Sequence, residues 1–169
     1  MKRFCLSILF LLLPAFAAHA QDHHGHHHQR NEIGLSTGAL YAIDHSEWGV
    51  GVHLHYFRTL GDHSRWAVGG FAEQAWIGDS HTSLGAGVKF EPVRRLYLGA
   101  FPGVTFAKHE EEHDGHTHDE GAGTRFSLHF EVGYDLFHWE RFHLGPVFDY
   151  SWAKRDSHIM IGIHAAFCF

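Results

Sequence analysis

A chain of 169 residues with 13 Lys and Arg against 19 Asp and Glu carries a formal charge of −6 with histidine neutral. That balance excludes nucleic acid as a partner, because phosphate neutralisation needs a basic face. The length suits a single domain, and of the two cysteines only Cys168 lies beyond residue 20, which excludes an internal disulfide in an exported chain.

Residues 1–20 read as a secretory signal. Lys2 and Arg3 give a positive start, Phe4 to Pro14 form an apolar stretch too short to span a bilayer as a helix, and Ala18-His19-Ala20 supplies a small-residue cleavage site. The competing reading is a buried N-terminal helix. Cys5 lies too early to be a lipid-anchored cysteine following the apolar stretch. After Sec-type export the mature chain starts near Gln21, holds about 149 residues and, without Lys2 and Arg3, has a net charge of −8. Its first ten residues, 21–30, read QDHHGHHHQR. With no apolar residue to bury, this histidine-rich segment is expected to be a disordered tail, and it offers His23, His24, His26, His27 and His28 as metal donors.

From Asn31 onward the hydrophobic period is two. Trp48, Val50, Val52, Leu54 and Tyr56 fall on one face, and Gly49, Gly51, His53, His55 and Phe57 on the other. Phe126 to Leu136 and Phe142 to Trp152 alternate in the same way, as does the terminal run from Ile159 to Phe169. Eight strands are predicted in chain order: Glu32–Ile43, Trp48–Leu60, Trp66–Ile77, Thr82–Val93, Leu96–Ala107, Arg125–Phe137, Phe142–Ala153 and His158–Phe169. Each is about twice the usual strand of about 5–6 residues and long enough to cross about 25–30 Å of hydrocarbon at a tilt.

One face of every run is bulky and apolar, and the other is glycine, serine, histidine and scattered charge. An eight-stranded barrel only just holds its own side chains, so the small polar face belongs inside and the bulky face against lipid. Trp48, Trp76 and Trp152 gather toward one rim, with Tyr56, Trp66, Tyr134 and Phe142 toward the other, as interfacial girdles do. Closure also pairs every backbone group, which lipid demands. The fold class is therefore an all-β, eight-stranded antiparallel up-and-down transmembrane barrel over residues 31–169. A soluble barrel or sandwich is the alternative, and a diffusive porin is excluded by strand number.

The final strand, IGIHAAFCF, carries apolar residues at alternating positions and ends on Phe167 and Phe169. The chain from Asn31 to Phe169 resembles the small outer-membrane barrels of the OmpA-transmembrane-domain and OmpX type. The resemblance implies an outer-membrane protein of a Gram-negative bacterium, a monomer in outer-membrane lipid, with Phe169 and Phe167 as the signal read by the barrel assembly machinery. It also implies periplasmic termini. The connections Asp44–Glu47, Gly78–His81, Lys108–Gly123 and Arg155–Ser157 then face outward, and only the third is long.

That long connection holds HEEEHDGHTHDE from His109 to Glu120, four imidazoles and six carboxylates in twelve residues. Such donors suit zinc, nickel and copper(II). The candidate ligands are His109, His113, His116 and His118 with Asp114 and Asp119, and a partner protein of a metal pathway is implied. The plainer reading is an acidic, solvated loop of weak affinity. No cofactor is required by either. His109 to His113 also fits H-E-x-x-H, but that motif works on a helix in a catalytic cleft, and this one sits in a polar loop.

A second constellation is inward: His53, His55, Glu73, Arg125, His129, Glu131, Asp149 and His164, with Lys89, Glu91, Asp135 and His143 in the same phase. Buried charges need partners, so a structural network is expected there, with a proton-sensitive or metal-holding interior as the sharper reading. For an enzyme, the only Ser–His–acid grouping near the outer rim is Ser83, His81 and Glu73, without a surrounding motif. A non-enzymatic barrel that binds or senses a divalent metal is the leading expectation. A structural or surface-interaction barrel without ligand is the alternative, and a lipid-modifying enzyme the weakest.

Overall fold

The computed structural model describes residues 31–61, 64–78, 80–107, 123–154 and 156–169. The signal and the tail at 21–30 lie outside the described residues. So does the segment 108–122, and with it all the loop ligands His109, His113, Asp114, His116, His118 and Asp119.

The chain forms β1 (Asn31–Ala42), β2 (Glu47–Thr59), β3 (Trp66–Trp76), β4 (Ser80–Val93), β5 (Leu96–Ala107), β6 (Gly123–Tyr134), β7 (Phe137–His138), β8 (Phe142–Ala153) and β9 (His158–Cys168). Segment β7 continues β6 along the same neighbour, β8, so the two count as one stave. Each stave pairs antiparallel with the next, and β1 pairs with β9 from Glu32↔Cys168 to Ala42↔His158. The sheet is a closed barrel of eight staves, without a free edge. The predicted strands are all present, with every end within three residues of its expected place and two strands, Leu96–Ala107 and Phe142–Ala153, matching at both ends.

Both ends of the barrel chain meet at one rim, where Asn31 N donates to Phe169 O (3.0 Å) and Phe169 N to Asn31 O (2.8 Å). The Arg94-Arg95 turn, with Arg95 left-handed at φ 76°, lies at that rim too. The β1–β2, β3–β4, β5–β6 and β8–β9 connections share the opposite rim. We refer to these as the periplasmic and outward ends.

The wall face is apolar: Val50, Leu54, Leu84, Val104, Phe130 and Ile163 are all exposed around its middle. Trp48, Trp76 and Trp152 stand exposed toward the outward end, and Tyr56, Trp66 and Tyr134 toward the other. The few polar residues of this face satisfy themselves. Thr37 Oγ1 donates to Gly51 O at 3.0 Å, and Thr82 Oγ1 donates to Gln74 Oε1 at 2.7 Å. Such a wall is built for lipid, where an unpaired polar group is costly.

The interior adds large apolar rings to the small and polar residues expected there. Phe57, Phe71 and Phe101 pack inside, with ring centroids 5.5–5.6 Å apart where they meet Phe101. Glycines make the room. A Cβ on Gly85 would lie 2.5 Å from Phe71 Cε1, and one on Gly87 2.6 Å from Phe101 Cδ1. A second apolar group includes Leu40, Ala75, Ile77 and Met160. Polar side chains fill the remaining lumen.

Candidate functional site: a histidine–carboxylate lumen

Alternation places one inward side chain every second residue on each stave, and register stacks them into levels. His53 stands opposite Glu73 across β2–β3, Glu131 opposite Asp149 and His129 opposite Ser151 across β6–β8, and Ser151 opposite His158 across β8–β9.

At the outward end, His81 Nδ1 faces Asp156 Oδ1 at 3.8 Å, and Arg125 Nη1 lies 3.8 Å from Asp156 Oδ2 while donating to Lys154 O at 3.3 Å. One level deeper, His158 Nε2 meets Glu73 Oε1 at 3.2 Å. His129 Nδ1 stands 3.9 Å from Glu73 Oε2 and 3.8 Å from Asp149 Oδ1. Mid-lumen, His53 Nδ1 is 3.5 Å from Glu131 Oε2.

Toward the periplasmic end, Glu32 gathers a different set. Lys89 Nζ donates to both its oxygens, at 2.7 and 2.5 Å, and His55 Nε2 stands 3.4 Å from Oε1. At the rim itself His143 Nδ1 lies 3.1 Å from Asp135 Oδ2, and the His138 and His143 rings are 4.1 Å apart.

The electrostatics of this column are lopsided. Glu73, Glu131 and Asp149 are at most 1% exposed, and their ion-pair partners are imidazoles. Glu131 and Asp149 are moreover directly opposite each other, an arrangement that repels unless a cation intervenes. The Tyr97 hydroxyl reaches Glu131, while His158 and His129 serve Glu73 and Asp149. A buried carboxylate must be balanced by a positive charge or be neutralised by a proton, and a proton on imidazole, a proton on the carboxyl or a bound cation would each meet that need here. Several sets bring three metal-type donor atoms within 4.8 Å of one another: Glu73, His81 and His158; His53, His55 and Glu131; Glu32, His55 and His164; and Asp135, His138 and His143.

All eight inward residues read from the sequence, His53, His55, Glu73, Arg125, His129, Glu131, Asp149 and His164, point into the lumen. Arg125 sits at its outward mouth, and Glu91, expected inside, has a half-exposed side chain at the rim. Glu32, Tyr97 and His158 complete the network but were not singled out in the sequence. His158 is in step with His164 on β9, whereas β1 and β5, which hold Glu32 and Tyr97, carry no inward residue identified from the sequence. Of the hydrolase grouping, His81 and Glu73 come together, His81 also faces Asp156, and Ser83 Oγ pairs with Thr105 Oγ1 at 2.8 Å. Cys168 is buried, its Sγ 3.9 Å from both Glu32 Oε2 and His143 Nε2. Phe169 is exposed at the end of β9, its ring stacked 6.2 Å from Phe167.

No protein-family model matches the chain, and no curated protein sequence matches it. Solved structures do. The Neisserial surface protein A superposes with a TM-score of 0.61 at 10% identity, over 82% of this chain and 97% of that one. The attachment invasion locus protein Ail of Yersinia pestis gives 0.54 at 16% identity, over 83% and 97%. A de novo designed transmembrane β-barrel gives 0.50 at 13% identity, over 83% and 96%. The fold is that of the small eight-stranded outer-membrane barrels, and the lipid-facing belt with its two aromatic rims makes this chain a transmembrane wall of the same kind.

Proposed function

We propose that the chain is a non-enzymatic outer-membrane barrel that captures a divalent transition metal, zinc, nickel or copper(II), at its outward end. The observation that carries this reading is the buried set Glu73, His81 and His158, a two-imidazole, one-carboxylate donor group of the type zinc sites use. His81 pairs across the sheet with Ala107, and Ala107 with Gly123. Ala107 and Gly123, the described residues that flank the histidine-rich connection, thus lie beside the strand that carries His81, and His109 is two residues from Ala107 in sequence. A loop of His109, His113, His116, His118, Asp114 and Asp119 would collect ions, and the lumen triad would hold them. The periplasmic tail, with His23, His24, His26, His27 and His28, offers a second, weaker collector across the membrane. On this reading a partner protein of the metal pathway receives the ion, and the barrel assembly machinery reads Phe169 and Phe167.

A second reading, a structural or surface-interaction barrel without ligand, draws on the fold it shares with a surface protein and an attachment protein. The two are separated by calorimetric titration of zinc, nickel and copper(II) into the detergent-folded mature protein. Metal capture predicts a tight site that weakens at least tenfold in His81→Ala+His158→Ala, and weakens again when the four loop histidines become alanine. Affinity that falls only in proportion to the number of histidines removed, from whichever segment, overturns it.

A further inference from the structure

The periplasmic half of the lumen holds a second enclosed donor set. His55 Nε2 faces His164 Nε2 at 3.4 Å and Glu32 Oε1 at 3.4 Å. These separations are long for hydrogen bonds, which fall at about 2.7–3.2 Å, and one nitrogen cannot serve both neighbours with a single proton. They match another geometry. Tetrahedral ligands about 2.0–2.1 Å from a zinc ion stand about 3.3–3.4 Å from one another. His55 and His164 are each 2% exposed and Glu32 is 8% exposed, so the set is enclosed.

Two further features point to a built site. A Cβ on Gly34 would fall 2.2 Å from His55 Nε2 and 2.7 Å from His164 Nε2, so a glycine keeps this point of the lumen clear. The charge is also arranged for exchange. Lys89 bonds Glu32 yet stands only 3.4 Å from Glu91 at the open rim, and its ammonium lies 5.2 Å from the centroid of the Tyr97 ring. Lys89 therefore has other places to settle when a stronger cation takes Glu32. The nearby Glu131, grouped with His53 and His55, supplies further negative charge.

We propose that Glu32, His55 and His164 form a second, buried divalent-metal site in the periplasmic half of the barrel, of zinc-type tetrahedral character, for which Lys89 is the built-in competitor. The rim set Asp135, His138 and His143 lies on the entry side. The site shares no ligand with the outward triad, so either can stand without the other.

The test uses the full mature chain folded in detergent, with Co(II) as the probe, because tetrahedral cobalt absorbs visible light far more strongly than six-coordinate cobalt. The expected result is an intense tetrahedral spectrum that survives in His81→Ala+His158→Ala. In His55→Gln+His164→Gln the affinity of this site falls by more than the roughly 10–100-fold that loss of an outer-shell partner costs. Lys89→Gln tightens binding by about tenfold, since an ammonium in contact with a carboxylate competes for it, and a merely structural lysine would not do so. A spectrum kept in His55→Gln+His164→Gln but lost in His81→Ala+His158→Ala overturns this inference and leaves the outward reading standing. No tetrahedral spectrum in the wild type overturns both sites. Where the glutamine variant does not fold, X-ray absorption on wild-type protein loaded with one equivalent of zinc decides. Two or more imidazoles in four-coordination at about 2.0–2.1 Å support a buried site, persisting in the His81→Ala+His158→Ala background; six-coordinate zinc with oxygen ligands overturns it.

Discussion

The two ends of the lumen handle buried negative charge differently. Toward the periplasm, Glu32 is held by a permanent ammonium, Lys89, seated on both its oxygens. In the outward half and the middle, the ion-pair partners of Glu73, Asp149 and Glu131 among the described residues are imidazoles, whose charge is conditional. A barrel interior that served solely to fill space would need no such asymmetry. At one level a resident ammonium already balances the buried charge, and an arriving cation must displace it. The carboxylates served by imidazoles meet no such competitor.

The largest effect should come from breaking the fixed pair. Lys89→Met leaves Glu32 buried against two imidazoles and should cost about 3–5 kcal/mol of stability, read as a lowered guanidinium midpoint of the refolded barrel. Adding Glu32→Gln to the same chain should restore much of the loss. A cost below about 1 kcal/mol, typical of exposed pairs, would remove the structural half of the contrast. The wall offers the next largest change: Leu54→Arg on the lipid face should cost about 2–4 kcal/mol in a bilayer, and little in a solvent that lets the guanidinium reach water. Close in size is the response of the conditional end to metal. Zinc at 100 times its dissociation constant should stabilise the folded wild type by about 2.7 kcal/mol, and His81→Ala+His158→Ala should lose most of that gain. Smallest of the four, Gly85→Ala pushes a methyl to within 2.5 Å of Phe71 Cε1 and should cost about 1–3 kcal/mol by overpacking, without altering metal affinity.

The strand plan was legible because one rule, period two, operates along the whole chain, and a one-residue slip would put every wall residue in the lumen. The same rule identified most of the column, from His53 and His55 to Glu131 and His164. It fell short in two places. Phe71 and Phe101 look like lipid-facing residues by type, and only the cross-strand placement of Gly85 and Gly87 reveals the hollow that receives them. Glu32 and His158 lie at strand starts, where a boundary uncertain by two residues obscures the phase. Which inward groups touch was a further step, since Glu32 meets Lys89 across 57 positions of sequence and His164 meets His55 across 109. Those encounters depend on the order in which staves close the barrel, which periodicity does not encode.

The central claim, metal capture at the outward end, is tested most directly by anomalous diffraction at the zinc edge from crystals of the mature barrel grown with stoichiometric zinc. The account predicts a peak bounded by Glu73, His81 and His158. Zinc found only on exposed histidines outside the barrel, with that set clear and its imidazoles hydrogen-bonded to their carboxylates, would contradict it.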